Sequence, residues 1–329
     1  MSEVYDITII GGGPVGMFAG FYAGMRQMKT KVIDSLEVLG GQPAMLYPEK
    51  TIYDIPGFPH ISGRRLTKNL TEQLNHFDPT ICLGEEVISY EKNEDDIFEI
   101  KTAKMVHYSK TILIAVGSGA YQPRKLNIYG AENYAENNLH YLVTSFDQFK
   151  DKDVVIVGGG DTAVDTALAL EPKVKSVTLV HRRDKFRAME SPLQRLKASS
   201  AKIVTPYKID KLSGKNGHLS AMIFTESRGN ETLTLEADDF IVSYGVKSSL
   251  GPLSKWPLNF SHQKISVNEK METNIPGIYA AGDITNYSSK INLIATGFGE
   301  APIAVNHAVN YINPCAKVQP AQSTELDLD

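Results

Sequence analysis

Ile7-Thr8-Ile9-Ile10-Gly11-Gly12-Gly13-Pro14-Val15-Gly16 decides the fold of the first part of the chain: an apolar run breaks into G-x-G-x-x-G. The run reads as a buried strand and the glycines as the turn into a helix. The free N–H groups and positive end of that helix suit a pyrophosphate. Pro14 fits the first helical turn, where its missing N–H costs nothing. Gly16, Ala19, Gly20, Ala23 and Gly24 then give the helix a small-residue face able to lie close on a sheet. The next strand, Thr30 to Asp34, ends in an acid 18 residues past Gly16, the position of a carboxylate that grips adenosine ribose hydroxyls. Gly11, Gly13, Pro14, Gly16 and Asp34 are therefore candidate binding residues for an adenine dinucleotide with an unmodified ribose.

The same pattern returns 147 residues later, where Val154-Val155-Ile156-Val157 runs into Gly158-Gly159-Gly160-Asp161-Thr162-Ala163. Gly158, Gly160, Asp161, Thr162 and Ala163 mark a second dinucleotide site. Counting the same 18 residues from Ala163 reaches His181, followed by Arg182 and Arg183 with Arg187 beyond, and no acid stands there. A ribose 2′-phosphate would be repelled by a carboxylate and held by guanidinium forks, so this is the expected NADPH site. Such a charge run is elsewhere a solvated turn, but its register with the glycines points to the phosphate. Two dinucleotide sites in one chain let electrons pass between two nucleotide cofactors.

At 329 residues and 42% hydrophobic, the chain supports two domains with separate cores. No apolar run approaches the ~20 residues needed to cross a bilayer, and the first strand begins too early for a signal peptide. The expected compartment is the cytoplasm. With 34 basic against 38 acidic residues, the net charge of −4 leaves no general nucleic-acid or membrane footprint. Residues 181–215 are locally basic, and the charge not serving the nucleotide meets an acidic partner or water. Cys82 and Cys315 form no C-x-x-C and read as buried, inert thiols. Neither H-E-x-x-H nor a zinc-type Cys/His spacing occurs, so no metal is expected, and no G-x-S-x-G elbow is present.

Thr111 to Val116 reads as a strand stopping at Gly117-Ser118-Gly119, and Asp239 to Tyr244 as one stopping at Gly245. Ile278-Tyr279-Ala280-Ala281-Gly282-Asp283 reads as a buried strand with an acid at its carboxyl end, where ligands of parallel sheets bind. The fold class is thus α/β: two Rossmann-like three-layer dinucleotide-binding domains, the second inserted into the first. The boundaries are 1–118 and 249–329 for the first domain and its C-terminal tail, and 119–248 for the insert. Runs at 81–90, 97–102 and 105–108 read as a small antiparallel insertion. The Gly/Ser-rich crossings near 117–119 and 245–249 suit backbone rotation between the domains.

These motifs, with Gly40-Gly41-Gln42, Phe186-Arg187 and Thr273 through Ala281-Gly282-Asp283, resemble over nearly the whole length the flavoprotein family that includes low-molecular-weight thioredoxin reductases. That resemblance implies FAD in the first domain and NADPH in the second. Thioredoxin reductases carry a redox C-x-x-C where this chain has Tyr141-Leu142-Val143-Thr144, which removes disulfide reduction. Together with Tyr47-Pro48-Glu49-Lys50 and Gly297-Phe298-Gly299-Glu300-Ala301-Pro302, the chain is similar to the thioredoxin-reductase-like ferredoxin–NADP(+) reductases. The resemblance implies Asp34 on the adenosine ribose, Gln42 near the ribityl–flavin end and Tyr47 stacked on a flavin face, although a loop tyrosine covering the core is the better reading of the residue alone. It further implies Val87 at the adenine, a position equally suited to plain core, and Tyr121 at the flavin side. Asp283 is matched to the ribityl chain, and a helix beginning near Gly297 to the flavin pyrimidine edge. In the tail, Gln322 stands where relatives place a ring, while Thr324 matches a position contacting FAD; otherwise 325–329 is a frayed acidic end.

The implied activity is electron exchange between NADPH, as hydride, and ferredoxin or flavodoxin, as single electrons. The chemistry belongs to the cofactor, so no catalytic side chain is assigned. A homodimer is implied by the family alone. Two alternatives stay open: an NADPH-dependent reductase of another small acceptor, and a non-catalytic FAD/NADPH redox sensor.

Overall fold

Ile7, Ile9 and Ile10 are all buried in β1 (Val4–Ile10), as the strand at the centre of a covered parallel sheet requires. The computed structural model describes residues 3–135, 137–143, 145–319 and 324. It divides into one unit of residues 1–120 with 248–329 and a second of residues 121–247.

In the first unit β1 runs through the glycine turn into α1 (Pro14–Met25) and on to β2 (Thr30–Ile33), which pairs parallel to β1. Met17, Ala19, Gly20 and Ala23 are the buried face of α1. A Cβ on Gly20 would meet Leu74 and one on Gly24 would meet Phe77, so small residues let the neighbouring chain come this close. Two short helices follow, α2 (Gly41–Met45) and the longer α3 (Gly63–Leu74), whose Ser62 cap accepts from the Arg65 N–H. β3 (Thr80–Cys82) joins the free edge of β2 in parallel.

β4 (Val87–Lys92), β5 (Phe98–Thr102) and β6 (Val106–Ile114) form an antiparallel meander. Two details differ from the sequence reading. The run at 81–90 is split between parallel β3 and antiparallel β4, because Gly84 turns the chain at φ +63. The runs at 105–108 and 111–116 are one strand, serving β5 with its first half and β1 with nearly its whole length. The gap between those runs is Ser109-Lys110, and the hydroxyls of Ser109 and Thr111 are buried and satisfied: Ser109 donates to the Thr111 carbonyl at 2.8 Å and Thr111 to the Asp6 carbonyl at 2.7 Å.

The second unit is a parallel five-stranded sheet in the order β7-β11-β8-β9-β10, from β7 (Leu139–His140), β8 (Asp153–Val157), β9 (Ser176–Val180), β10 (Lys202–Val204) and β11 (Asp239–Val242). α4 (Asp161–Leu170) follows β8, and α5 (Glu190–Lys197) lies between β9 and β10. An antiparallel ribbon of Tyr207–Lys215, His218–Glu226 and Thr232–Glu236 leads into β11. At the start of β11, Asp239 is buried and bonds His140 Nε2 at 2.6 Å and Lys152 Nζ at 2.7 Å. Burial would raise its carboxyl pKa, but these two donors outweigh burial and hold it below the usual range.

Back in the first unit, β12 (Ile278–Ala280) pairs parallel to β6, and α6 (Ile294–Ile312) packs Ala301, Ala304, Val305 and Ala308 into the core shared with α1. The helix begins at Ile294 rather than near Gly297, so Gly297 lies inside its first turn. At the crossing, Gly245 has φ +84, a backbone that proline cannot adopt.

Candidate functional site

Each unit carries a cradle at the carboxyl ends of its central strands, where parallel sheets bind ligands. In the first unit Gly11 turns at φ +112, and a Cβ there would lie 2.5 Å from the Ala115 carbonyl oxygen. A Cβ on Gly16 would strike the Gly11 carbonyl. These two glycines therefore close the turn, while Gly13 faces open space except for the Gly41 Cα at 3.9 Å. Gly13 caps α1 with no side-chain acceptor and no acid stands in the first turn, so the positive helix end is unspent. This strip of backbone without Cβ atoms fits an anionic diphosphate.

Asp34 lies just past β2 and is 9% exposed. Its Oδ2 accepts from the Gly12 N–H at 2.5 Å and its Oδ1 from the Leu36 N–H at 2.8 Å, which fixes the carboxylate against the glycine loop. Burial pushes its pKa above the usual carboxylate value, against these two donors, which lower it. Val87 opens β4 with its side chain in the core cluster of Ile10 and Ile33, and it stands opposite Thr102 of β5 in the ladder. Gln42 lies on α2 with its Nε2 3.6 Å from the place of a Gly117 Cβ. Tyr47 follows α2 and is half-buried.

Opposite these lies the turn after β12. A Cβ on Gly282 would sit 3.3 Å from Val15 of α1, and one on Gly297 of α6 would be 3.3 Å from the Gly282 Cα. The N-termini of α1 and α6 thus converge on the Gly282–Asp283 turn. α6, like α1, has neither a side-chain cap nor an acid in its first turn. The Gly282 N–H donates at 2.7 Å to Glu300 Oε2, and Glu300 Oε1 is bonded by Tyr287 Oη at 2.6 Å and by Lys290 Nζ. Glu300 and Lys290 are both buried, and burial with donation to Glu300 pushes the Tyr287 hydroxyl up to about 12. The sequence reading did not assign this cluster, although one acid among the small residues of Gly297-Phe298-Gly299-Glu300-Ala301-Pro302 was its signal.

The second unit holds a groove of about 1410 Å³, lined by Gly158 to Gly160, Thr162, His181, Arg182, Arg183 and Arg187 among others. Gly160 caps α4 without a side-chain acceptor, and nothing lies within 4 Å of a Cβ placed there, whereas one on Gly158 would meet Ala163 and Ser243. Gly160 is thus the open side of the cradle and Gly158 the packed one. Ala163 is in the core, and Asp161 turns to accept from the Met189 N–H at 2.9 Å, so neither side chain lines the groove. The Arg187 N–H donates to the Gly159 carbonyl at 2.8 Å, tying the basic segment to the glycine loop.

His181 packs on Gly159 and on the Phe186 ring, and its buried Nε2 has no partner among the described residues. Burial, helped by the neighbouring guanidinium charges and opposed by a backbone bond with Lys185, lowers its pKa. A buried ring nitrogen left open in a groove is a place for a ligand group. Among the described residues no acid pairs with Arg182, Arg183 or Arg187, all of them exposed. Arg124, Lys208 and Lys247 also line the groove from distant segments, and no local sequence pattern marks them.

Tyr121 lies in the second unit, at its first residue. Thr324 is exposed, and Gln322 is outside the described residues. Cys82 is half-buried and Cys315 exposed, against the expectation of two buried thiols. Cys82 ends the edge strand β3, where one flank of the sheet is open, and Cys315 lies beyond the end of α6. Cys82, Glu85 and His107 are the one Cys/His/acid cluster of metal-ligand size among the described residues. There His107 bonds Glu85 at 3.0 Å through Nε2 and Lys31 Nζ at 3.0 Å through Nδ1, so a lysine supplies the cation of this buried chain.

The description of the family model that matches residues 5–308 is pyridine nucleotide-disulphide oxidoreductase. A protein of Geobacillus kaustophilus named ferredoxin–NADP reductase is 52% identical over 324 residues, 98% of each chain. One of the same name from Streptococcus sanguinis is 54% identical over 326 residues, 99% of this chain and 100% of the other. Among solved structures, Lactococcus lactis thioredoxin reductase matches with a TM-score of 0.73 and 28% identity, over 94% of this chain and 99% of its own.

Proposed function

The chain belongs to the pyridine nucleotide-disulphide oxidoreductase family, and from that premise we propose how its two cradles are used. It is a flavoprotein oxidoreductase of the ferredoxin–NADP reductase type, working with FAD and NADP(H). When bound, these cofactors supply hydride exchange on the nicotinamide side and single-electron exchange on the ferredoxin side.

The first unit is assigned to FAD. Gly11, Gly13, Pro14 and Gly16 with the N-terminus of α1 receive the diphosphate, Asp34 the adenosine ribose, and the Val87 backbone the adenine. Asp283 is assigned to the ribityl chain, the N-terminus of α6 to the flavin pyrimidine edge, and Gln42, Tyr47, Tyr121 and Thr324 to the flavin end. An uncapped positive helix end there favours negative charge on a reduced ring. The second unit is assigned to NADPH. Gly158, Gly160 and Thr162 receive its diphosphate, and Arg182, Arg183 and Arg187 beside His181 receive the 2′-phosphate. Asp161 and Ala163 serve by shaping the loop. The proposed domain limits are 1–118, 119–248 and 249–329.

The observation that carries the choice of acceptor is Tyr141-Leu142-Val143-Thr144: beside two complete cradles, the stretch that in thioredoxin reductases holds the dithiol holds no sulfur. Ferredoxin or flavodoxin is the proposed partner, met by the protein as a homodimer in the cytoplasm; no helix among the described residues is long and apolar enough to cross a membrane. Anaerobic turnover with NADPH and purified ferredoxin, flavodoxin or a small disulfide, side by side, tests the reading. Rapid reduction of the first two with the disulfide untouched is expected. Preferential disulfide reduction would overturn the choice, and flavin that NADPH reduces without turnover to any acceptor would favour a sensor.

A further inference from the structure

Glu300 is a carboxylate at 3% exposure on a helix side otherwise made of small residues with Val305 and Asn306. Burying such a charge costs several kcal/mol unless it is paired and fully hydrogen-bonded. Here it is both. Oε2 takes the backbone N–H of Gly282 at 2.7 Å, and Oε1 takes the Tyr287 hydroxyl at 2.6 Å and the Lys290 ammonium. These donors come from the segment between β12 and α6, the acceptor from the second turn of α6. The cluster therefore ties that segment to the helix at two places, Gly282 and residues 287–290. Gly282 has φ +84, and its carbonyl accepts from both the N–H and the hydroxyl of Thr285, at 3.0 and 2.8 Å. Both backbone polar groups of Gly282 are thus satisfied, and Glu300 is the part contributed by α6.

We propose that Glu300, with Tyr287 and Lys290, is a positioning residue of the flavin site: it holds the Asp283 turn against the N-terminal turn of α6, and the Lys290–Glu300 pair keeps that helix end electrically balanced. The proposal rests on the assignment of FAD to the first unit. Its chemistry separates two roles. Geometry is carried by all three bonds to the carboxylate. Charge is carried only by the pair, so removing one partner leaves the other buried and uncompensated. An unbalanced Lys290 favours the extra negative charge of reduced flavin, and an unbalanced Glu300 opposes it.

The test uses Glu300→Gln, Lys290→Met and Tyr287→Phe. FAD is titrated into each apoprotein by flavin fluorescence, and the midpoint potential of each holoprotein is measured by dye equilibration. Glu300→Gln is expected to weaken FAD binding about tenfold, the worth of a hydrogen bond to a charged group. Its potential should rise and that of Lys290→Met should fall. Tyr287→Phe keeps both charges and removes one bond at a half-buried site, so it is expected to fold. It should weaken FAD about threefold and leave the potential in place. Potentials that move in the same direction, or not at all, overturn the charge balance, and wild-type FAD affinity in Tyr287→Phe overturns the positioning role. Wild-type protein that binds no FAD would instead refute the underlying assignment.

Discussion

Replacing Arg182 and Arg183 together by alanine isolates the contact that distinguishes NADPH from NADH. Both side chains are exposed and line the groove, and no acid among the described residues competes for them. Hydrogen bonds to charged groups contribute about 1.5–3 kcal/mol each. Exposure and salt screening place these at the low end. Two such contacts give about 3 kcal/mol, or roughly a hundredfold in KM for NADPH at low ionic strength. NADH has no 2′-phosphate, so its KM should move by less than about threefold. The fold should be unaffected, because the backbone tie from Arg187 to Gly159 does not use these side chains. The assay is steady-state reduction of a one-electron dye with each nucleotide at 20–300 mM salt, as an order-of-magnitude range around a Debye length of about 10 Å. The preference of the parent enzyme for NADPH should shrink as salt rises, while the double variant, left with Arg187, shows a smaller preference and a weaker salt effect. Equal losses with both nucleotides would refute the reasoning, since the arginines would then be supporting the loop rather than reading the phosphate.

Asp34→Asn should weaken FAD binding about tenfold in an apoprotein titration. Because burial raises the Asp34 pKa, FAD retention should fall with acid in a range above the ordinary Asp value of 3.8; release confined to lower pH would count against the ribose contact. Asp239→Asn leaves His140 and Lys152 without their buried acceptor and should cost about 2–4 kcal/mol, the lower part reflecting the half-exposed lysine. The Asp239 pKa is depressed, so its stabilisation is full above about pH 4 and is lost as pH falls through the lower folded value; denaturant melts at pH 7 and 3 should show the deficit shrinking at the lower pH, and a constant deficit would contradict this. Cys82→Ser with Cys315→Ser should retain NADPH-dependent ferredoxin reduction near that of the parent, and a large loss in protein that still holds FAD would restore a thiol to the mechanism.

What was legible in the sequence was whatever backbone geometry makes local. The two glycine turns, the small-residue face of α1 and the acid after β2 are forced by contacts between neighbours in sequence or in adjacent strands: a Cβ on Gly11 or Gly16 would collide with Ala115 or Gly11. What stayed hidden was polar burial satisfied at long range. Ser109-Lys110 looked like a break between two strands because a polar pair resembles a loop, yet the bonds of Ser109 and Thr111 to the Thr111 and Asp6 carbonyls let β6 run through. Lys31 sits inside a strand with its ammonium over the Tyr5 ring at 3.9 Å and bonded to His107, a placement that no window around residue 31 reveals. The start of α6 escaped for a related reason, since Leu293 caps it with no side chain and leaves no Ser, Thr, Asp or Asn at the boundary.

The same absence has a functional side. A side-chain cap at α6, or an acid in its first turn, would draw on the positive helix end that the flavin assignment needs free. The acid appears instead one turn later, at Glu300, where Lys290 neutralises it and Gly282 uses its second oxygen. Lys290 lies ten positions before its partner, within the loop that must be held. Moving the charge inward and pairing it there lets α6 keep an unspent N-terminus while still fixing the turn that carries Asp283. A variant that caps the helix, Leu293→Asp, should therefore lower the flavin midpoint potential and leave the melting temperature equal or higher. Redox titration with a parallel thermal melt measures both. An unchanged potential in a protein that binds FAD would mean that the end of α6 does not face the flavin, and would return Glu300 to a purely structural part.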